Sequence, residues 1–277
     1  MTKELTIAFI GGGNMATALA SGLIGKRCGA HDVHVVDVNA PVLARWSEQG
    51  TTVAQSPDAM LAERRMWIFA VKPQYLKEAV AQCRPFLQDD TLVVSVAAGI
   101  SASTLAGWLG TPDQPFTRIV RCMPNTPALI GSGASGLLAL PGVSGDDKTI
   151  VQQLFRAVGE VVWVDTDAQI DAVTALSGSG PAYVFLFIEA LIQGGIQQGL
   201  NEDQARTLAL ATLGGATQLA ALSHESLATL REQVTSKGGT TAAALAVLQS
   251  AAFPAIVQQA MQAANDRAAE LSAEFAG

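Results

Sequence analysis

The sequence predicts an α/β protein in which an N-terminal doubly wound sheet, over residues 1–165, is followed by an all-α C-terminal part, over residues 166–277. Short β-branched runs alternate with helical stretches in the first part, and the strand pattern stops after it. The length of 277 residues suits about two domains of roughly 150 residues each.

The strand runs of the first part are continuously apolar rather than alternating. This pattern is typical of strands that are buried on both faces of a parallel sheet with helices on either side. The predicted strands are Leu5–Ile10, Val33–Asp37, Met66–Val71, Thr91–Val96, Arg118–Cys122, Leu137–Leu140 and Val161–Val164.

The second part is rich in Ala, Gln and Leu, and its segments are separated by Gly or capping residues. Asn201 is a predicted N-cap, because Glu202 and Asp203 place negative charge in the first helical turn. The helix faces are more apolar than one helical layer needs, so we expect a homodimer or an assembly of dimers. A monomeric, alanine-rich bundle is the alternative. The predicted helices lie near 169–176, 181–198, 201–222, 226–234, 241–249 and 254–274.

Composition excludes several classes of function. The net charge is −7, which repels phosphate backbones and anionic lipid, so we expect neither a nucleic-acid partner nor a membrane partner. The apolar run Leu5–Ile10 is too short for a signal peptide, and Tyr183–Ile196, which contains Glu189, is interpreted as a buried helix.

The three cysteines, Cys28, Cys83 and Cys122, are far apart and follow no metal-ligand spacing. Their odd number argues against a disulfide framework, so we expect a reducing cytoplasm and no metal site.

A glycine-rich turn follows the first predicted strand. The segment Gly11 to Ala16 has the pattern G-x-G-x-x-A and leads directly into a helical stretch. Gly11 permits the tight turn, Gly13 lets backbone N–H groups approach a pyrophosphate, and Ala16 allows close packing of helix on strand. This context predicts a Rossmann dinucleotide-binding sheet, with Asn14 and Met15 at the helix start. A purely structural glycine turn is the alternative.

Asp37 ends the second predicted strand at the distance expected of a ribose-binding carboxylate. It can accept from a ribose 2′-hydroxyl and repels a 2′-phosphate, which favours NAD(H). Two alternatives stay open: Asp37 caps the strand end, or Arg45 swings in to accept a phosphate.

Further segments carry a family resemblance over essentially the whole chain. They are Ala70-Val71-Lys72-Pro73, Arg121 to Pro127 (RCMPNTP), Ser177 to Tyr183 (SGSGPAY) and Val234 to Thr241 (VTSKGGTT). Together with the glycine turn, they resemble pyrroline-5-carboxylate reductase. The resemblance implies a Rossmann domain, a C-terminal dimerisation domain and NAD(P)H-dependent reduction of Δ1-pyrroline-5-carboxylate to L-proline, the last step of proline biosynthesis.

The resemblance and the residues together suggest the remaining cofactor site. Ala70, Val71, Lys72 and Pro73 end a strand at the carboxyl edge of the sheet, where such folds bind ligands, and Pro73 suits the first position of a helix. Lys72 is a catalytic candidate near the nicotinamide ribose or the substrate, or else a solvated lysine. Asn125 suits a nicotinamide or a neighbouring loop, or else it only stabilises a turn. Ala97 and Ala98 are small residues past which a ring can lie.

The predicted substrate site is a helix start with uncovered N–H groups. Ser236, Gly238, Gly239 and Thr240 would hold the substrate carboxylate at this N-terminus. The hydroxyl of Thr241, as the corresponding family residue implies, would hydrogen-bond the ring nitrogen. In the alternative, Thr240 or Thr241 is only an N-cap.

Two residues depart from the family pattern. Lys237 stands where Pro is usual, and Pro57 stands near a position where many relatives have an adenosine-binding Asn. Two other functions stay open: a β-hydroxyacid dehydrogenase-like enzyme, and a non-catalytic NAD-binding redox sensor.

Overall fold

The computed structural model describes residues 5–25, 27–111 and 113–275 and has the predicted doubly wound sheet. Its eight strands lie in the order β3-β2-β1-β4-β5-β6-β7-β8. They are β1 (Ile7–Ile10), β2 (Val33–Val36), β3 (Thr52–Ala54), β4 (Met66–Phe69), β5 (Leu92–Ser95), β6 (Ile119–Met123), β7 (Gly133–Ala139) and β8 (Gly159–Trp163).

Helices connect the strands and then form the rest of the chain. They are α1 (Asn14–Ser21), α2 (Ala40–Glu48), α3 (Pro73–Cys83), α4 (Ala102–Leu109), α5 (Gly145–Arg156), α6 (Asp167–Val173), α7 (Gly180–Gln197), α8 (Glu202–Leu222), α9 (Leu227–Gln233), α10 (Thr240–Ser250) and α11 (Phe253–Glu274).

The strand order reverses between β1 and β4. From β1 the chain moves outward through β2 to β3, and it then returns to place β4 on the other side of β1. Both neighbours pair with β1 in parallel. Ligands of open α/β sheets bind at the carboxyl ends of the strands where the order reverses. The sheet therefore has its expected crevice where β1 and β4 end.

Each face of the sheet has its own core, because successive side chains of a strand point to opposite faces. Ile7 and Phe9 of β1 belong to a cluster that includes Leu19 of α1, whereas Ala8 and Ile10 belong to a second cluster that includes Leu76 of α3. This double burial explains why the strands are continuously apolar.

Two features of the sheet differ from the prediction. The connection 124–132 is shorter than the dozen or so residues that a parallel crossover needs, and β7 accordingly runs antiparallel to β6, so the expected parallel sheet is in fact mixed. Strand β3 was not predicted, because its three residues, half-buried Thr52–Ala54, lack a long apolar run.

The chain divides into two compact units, of which the first comprises Met1–Ser179 with Ala264–Gly277 and the second Gly180–Ala263. Helix α6 belongs with the sheet, since Arg121 of β6, only 2% exposed, forms ion pairs with Asp167 and Asp171. Compactness therefore divides the chain after Ser179, and the domain limits at 165/166 stay a prediction.

The second unit consists of helices that pack in part on one another. The most extensive packing in this unit is between α7 and α8. These helices approach closely, since a Cβ added to Gly195 would lie 3.1 Å from the Cβ of Ala205. The predicted N-cap at Asn201 is confirmed, because its side chain accepts a hydrogen bond from the N–H of Gln204 (2.9 Å).

The expectation that Tyr183–Ile196 forms a buried helix is wrong for the single chain. No residue of α7 is buried, and apolar side chains such as Phe185 (59% exposed) and Leu186 (68%) face outward. By length and composition alone, the continuous helical stretch Asp167–Gln197 is apolar enough to cross a membrane, as is the bent pair α10–α11 taken as one span. Such helices are weak evidence for a membrane protein, since apolar helices also occur inside soluble proteins.

Candidate functional site

The glycine turn after β1 lies close to the end of β4. Gly11 has a φ of +96°, and a Cβ added to it would come within 2.8 Å of the backbone of Ala70 and Val71. Its N–H donates to Val36 O (2.8 Å). Only glycine meets both constraints, since it lacks a Cβ and adopts positive φ without strain. Gly11 therefore permits the tight turn, as predicted, and its role in binding a cofactor stays a prediction.

The third residue of the pattern is different. Gly13 has an ordinary φ of −72°, and a Cβ added to it would meet nothing within 4 Å. It is the N-cap of α1, and no side chain caps that end. Asn14 and Met15 open the helix, so backbone N–H groups and the positive end of the helix dipole are available at the turn. Ala16 is fully buried in the core, as the pattern requires.

Asp37 binds the turn from the neighbouring strand. Its Oδ2 accepts a hydrogen bond from Gly12 N–H (2.7 Å), and its Oδ1 accepts one from Asn39 N–H (2.8 Å). The indole of buried Trp46, in the helix that follows β2, donates to Gly12 O (2.9 Å). The carboxylate is therefore fixed in position beside the turn.

A cavity of 570 Å³ lies beside these groups, within the size range of small-molecule and cofactor sites. It brings together six of the residues predicted for the cofactor: Gly11, Gly13, Asp37, Ala70, Val71 and Lys72. Lys72 is the N-cap of α3, and Pro73 is the first residue of that helix, as predicted. Lys72 is the one cation among the described residues that line the cavity.

The cavity has further lining residues that the sequence reasoning missed. They come from the segments after β2 and β3 and from the exposed side of α3, and the pattern of the sequence does not reveal which side of a helix faces a cavity. These residues are Val38, Asn39, Gln55, Tyr75, Glu78, Ala79 and Gln82, while Pro57, named above as a departure from the family pattern, also lines the cavity.

The other six predicted cofactor residues do not line this cavity; they are Asn14, Met15, Pro73, Ala97, Ala98 and Asn125. Ala97 and Ala98 follow β5, and Asn125 follows β6, at the same carboxyl edge of the sheet. The side chain of Asn125 donates to Ser177 O (3.0 Å) and accepts from Ala134 N–H (2.8 Å). Asn125 thus joins the helical turn at Ser177 to strand β7, and its predicted role at a nicotinamide stays a prediction.

In the second unit, the predicted substrate residues form a turn that leads into α10. Gly239 N–H donates to Ser236 O (3.0 Å), and Gly238 has a φ of +71° in the third position of that turn. Lys237 occupies the second position, where proline is favoured in such turns.

The start of α10 has no side-chain cap. The N-cap is Gly239, with Thr240 and Thr241 in the first two helical positions. The alternative in which Thr240 or Thr241 is the N-cap is therefore wrong. Thr241 is half-buried and Thr240 is exposed. The helix presents free N–H groups with threonine hydroxyls beside them, an arrangement that suits a small carboxylate.

The described residues contain few groups suited to acid–base or nucleophilic work. Burial raises the pKa of Cys83 to about 12, and it also raises the pKa of Cys122 and of Cys28, so these thiols are poor nucleophiles. Burial lowers the pKa of His34, whose imidazole is enclosed between Thr52 (2.9 Å) and Asp58 (3.3 Å). No group of three or more potential metal ligands occurs among the described residues.

Known proteins resemble this chain over nearly its whole length. Residues 167–271 match a family model for pyrroline-5-carboxylate reductase dimerisation, and residues 6–99 match one described as NADP oxidoreductase, coenzyme F420-dependent. Pyrroline-5-carboxylate reductase of Pseudomonas aeruginosa is 44% identical over 97% of this chain and 97% of its own length. The chain belongs to the pyrroline-5-carboxylate reductase family.

Other members agree over their full length. The enzyme of Pisum sativum is 38% identical, covering 98% of both chains. Among solved structures, the pyrroline-5-carboxylate reductase of Coxiella burnetii is 37% identical with a TM-score of 0.90, covering 98% of this chain and 99% of its own. The Plasmodium falciparum reductase, solved with NADP bound, is 26% identical with a TM-score of 0.85, covering 98% of this chain and 100% of its own.

Membership of this family makes the chain an oxidoreductase with a nicotinamide cofactor. The glycine turn with its cavity fits such a dinucleotide, because the start of α1 has no side-chain cap, Gly13 lines the cavity, and a carboxylate stands at the end of β2. Family membership favours this activity over the two alternatives, the carbonyl-reducing relative and the non-catalytic sensor.

Proposed function

We propose that the protein reduces Δ1-pyrroline-5-carboxylate to L-proline, with NADH as the preferred reductant. The observation that carries the activity is full-length identity of 44% to a pyrroline-5-carboxylate reductase. When bound, the reduced nicotinamide would supply a hydride from its C4 to the imine carbon of a substrate already protonated on nitrogen, so that the C=N bond becomes the C–N bond of an amine that keeps this proton.

The glycine turn binds the pyrophosphate of the dinucleotide in this proposal. The uncapped N–H groups of Asn14 and Met15 face the anion, and Lys72 supplies a positive charge at the cavity wall. Asp37 accepts a hydrogen bond from the adenosine ribose, while its charge disfavours a 2′-phosphate. Arg45 lies in the last turn of α2 and is not among the residues that line the cavity, which supports NADH.

The start of α10 binds the carboxylate of the imine in this proposal. The backbone N–H groups of Thr240 and Thr241 are donors without a side-chain competitor, and the turn that Gly239 N–H closes on Ser236 O positions them. The hydroxyl of Thr241 donates to, or orients, the ring nitrogen. A cyclic imine is partly protonated near neutral pH, so positioning and one hydroxyl are sufficient for reduction without a strong protein acid.

We also propose that the second unit forms a homodimer. It exposes many large apolar side chains, including Phe185, Leu186 and Leu222 (84% exposed), within a region that matches a dimerisation family model. The mass of the purified protein in solution, measured by light scattering, should be at least that of two chains.

The activity and the cofactor preference are tested together by a substrate panel. Oxidation of NADH and of NADPH is followed with pyrroline-5-carboxylate and, as controls, with hydroxyacids and keto acids. We expect turnover only with the imine and a higher kcat/KM with NADH. Activity confined to the carbonyl compounds would refute the assignment, and a preference for NADPH would refute the role given to Asp37.

Two glycine variants separate cofactor binding from folding. Gly13→Ala places a methyl group in open space beside the turn, so we expect an unchanged Tm but a Kd for NADH raised by about tenfold or more. Gly11→Ala forces positive φ and a backbone clash, so we expect a loss of unfolding free energy of about 1–3 kcal/mol. Denaturant titration and NADH fluorescence measure the two effects. Unaltered NADH binding by Gly13→Ala would place the pyrophosphate elsewhere.

The hydroxyl of Thr241 is tested against that of its neighbour. For Thr241→Val we expect kcat/KM to fall by about 10–100-fold, or about 1.4–2.7 kcal/mol of transition-state stabilisation. Thr240→Val keeps its backbone N–H and should stay within about threefold of the wild type, since the loss corresponds to less than about 1 kcal/mol. Thr241→Ser should recover most of the activity. If both valine variants lowered kcat/KM equally, Thr241 would have no role at the ring nitrogen beyond its place in the first turn of α10.

A further inference from the structure

One side of α3 forms a wall of the cofactor cavity. Tyr75, Glu78, Ala79 and Gln82 line the cavity, and their spacing of three, four and seven residues places them on a single helix face. A neighbouring face of the helix is anchored, since Leu76, Val80 and Cys83 are fully buried in the core beneath it. The lining residues therefore have a fixed backbone beneath exposed side chains.

Two of these side chains are joined. Gln82 Nε2 donates a hydrogen bond to Glu78 Oε1 (3.1 Å). Among the described residues, no hydrogen bond engages the second oxygen of Glu78, and no cation forms an ion pair with it. The pair thus presents an ionised acceptor, braced by an amide, to the cavity.

The position of this pair indicates which part of a dinucleotide it meets. The same cavity is lined by Asp37 and Val38 after β2 and by Gln55 and Pro57 after β3. Under the proposed function, Asp37 holds the adenosine ribose, so the base attached to that ribose lies between these segments and α3. Lys72 and the pyrophosphate turn lie toward the start of α3, whereas Glu78 and Gln82 lie further along the helix.

Adenine has a chemical group that fits a carboxylate acceptor. Its N6 amino group donates hydrogen bonds, and its neighbouring ring nitrogens accept them, which is the pattern that an amide side chain can read. A base with a carbonyl oxygen in place of the amino group would set two acceptors against each other. A carboxylate in this position therefore discriminates between the two bases.

We propose that Glu78, braced by Gln82, accepts a hydrogen bond from the adenine N6 amino group and makes the cofactor cavity specific for adenine. This inference rests on the proposed function, because it requires the dinucleotide to lie in the cavity with its adenosine near Asp37. Glu78 is a specificity residue, remote from hydride transfer, and it acts on cofactor affinity.

The test uses the full chain and two probes, NADH and its reduced hypoxanthine analogue, which carries a carbonyl oxygen in place of the amino group. Dissociation constants are measured by nicotinamide fluorescence without imine substrate. The wild type should bind NADH about tenfold more tightly, as expected for one charge-assisted hydrogen bond at an exposed site. Glu78→Gln should bring the ratio of the two constants close to one, because an amide can accept from adenine or donate to hypoxanthine.

Two further variants complete the design. Gln82→Ala should reduce the ratio partly, since Glu78 loses its brace. Glu48→Gln removes the same charge from the exposed end of α2, away from the cavity lining, and should leave the wild-type ratio unchanged. A wild-type ratio near one, or an equal ratio in wild type and Glu78→Gln, overturns the inference. If folded wild-type protein binds neither NADH nor the hypoxanthine analogue, the cofactor assignment is wrong. The inference about Glu78 is then wrong as well.

Discussion

The close approach of Gly11 to the end of β4 is the contact on which the candidate site depends. Because Gly11 has positive φ and no space for a Cβ, the chain can turn directly from β1 into α1 against the backbone of Ala70 and Val71. This brings the ends of β1 and β4 together where the strand order reverses. The crevice, the helix N-terminus and Lys72 then share one edge of the sheet.

Asp37 and Trp46 make this turn rigid from the β2 side. The carboxylate accepts hydrogen bonds from Gly12 and Asn39, and the indole donates to Gly12. In the proposed mode of binding, the same carboxylate meets the ribose. Cofactor discrimination and turn geometry are therefore physically coupled through one side chain, since charged acceptors that satisfy backbone donors are strongly oriented. A substitution at Asp37 alters the shape of the pyrophosphate site as well as its charge.

The second unit differs from the first in the groups that it offers for binding a ligand. Its binding group is the uncapped start of α10, where backbone donors and a threonine hydroxyl are the candidate means of holding a small carboxylate. The surrounding helices expose apolar side chains such as Leu186 and Leu222 that a second copy can cover. The apolar side chains of these helices are exposed in the single chain, which is consistent with the family's dimerisation region. The interpretation of Tyr183–Ile196 as a buried helix failed because one chain alone does not cover it.

Local signals determined much of this protein. The apolar strands, the G-x-G-x-x-A turn, Asp37 and the capping residue Asn201 could be predicted, because each depends on neighbouring residues or on a strand buried on both faces. Three features required the folded chain: the antiparallel direction of β7, the short strand β3, and the placement of Glu78 and Gln82 beside the cavity. They are decided by contacts between segments distant in sequence, which helical or strand periodicity does not encode. An amphipathic helix has an exposed face in any fold. Which cavity that face lines is decided only when the apolar side of the helix packs on the sheet.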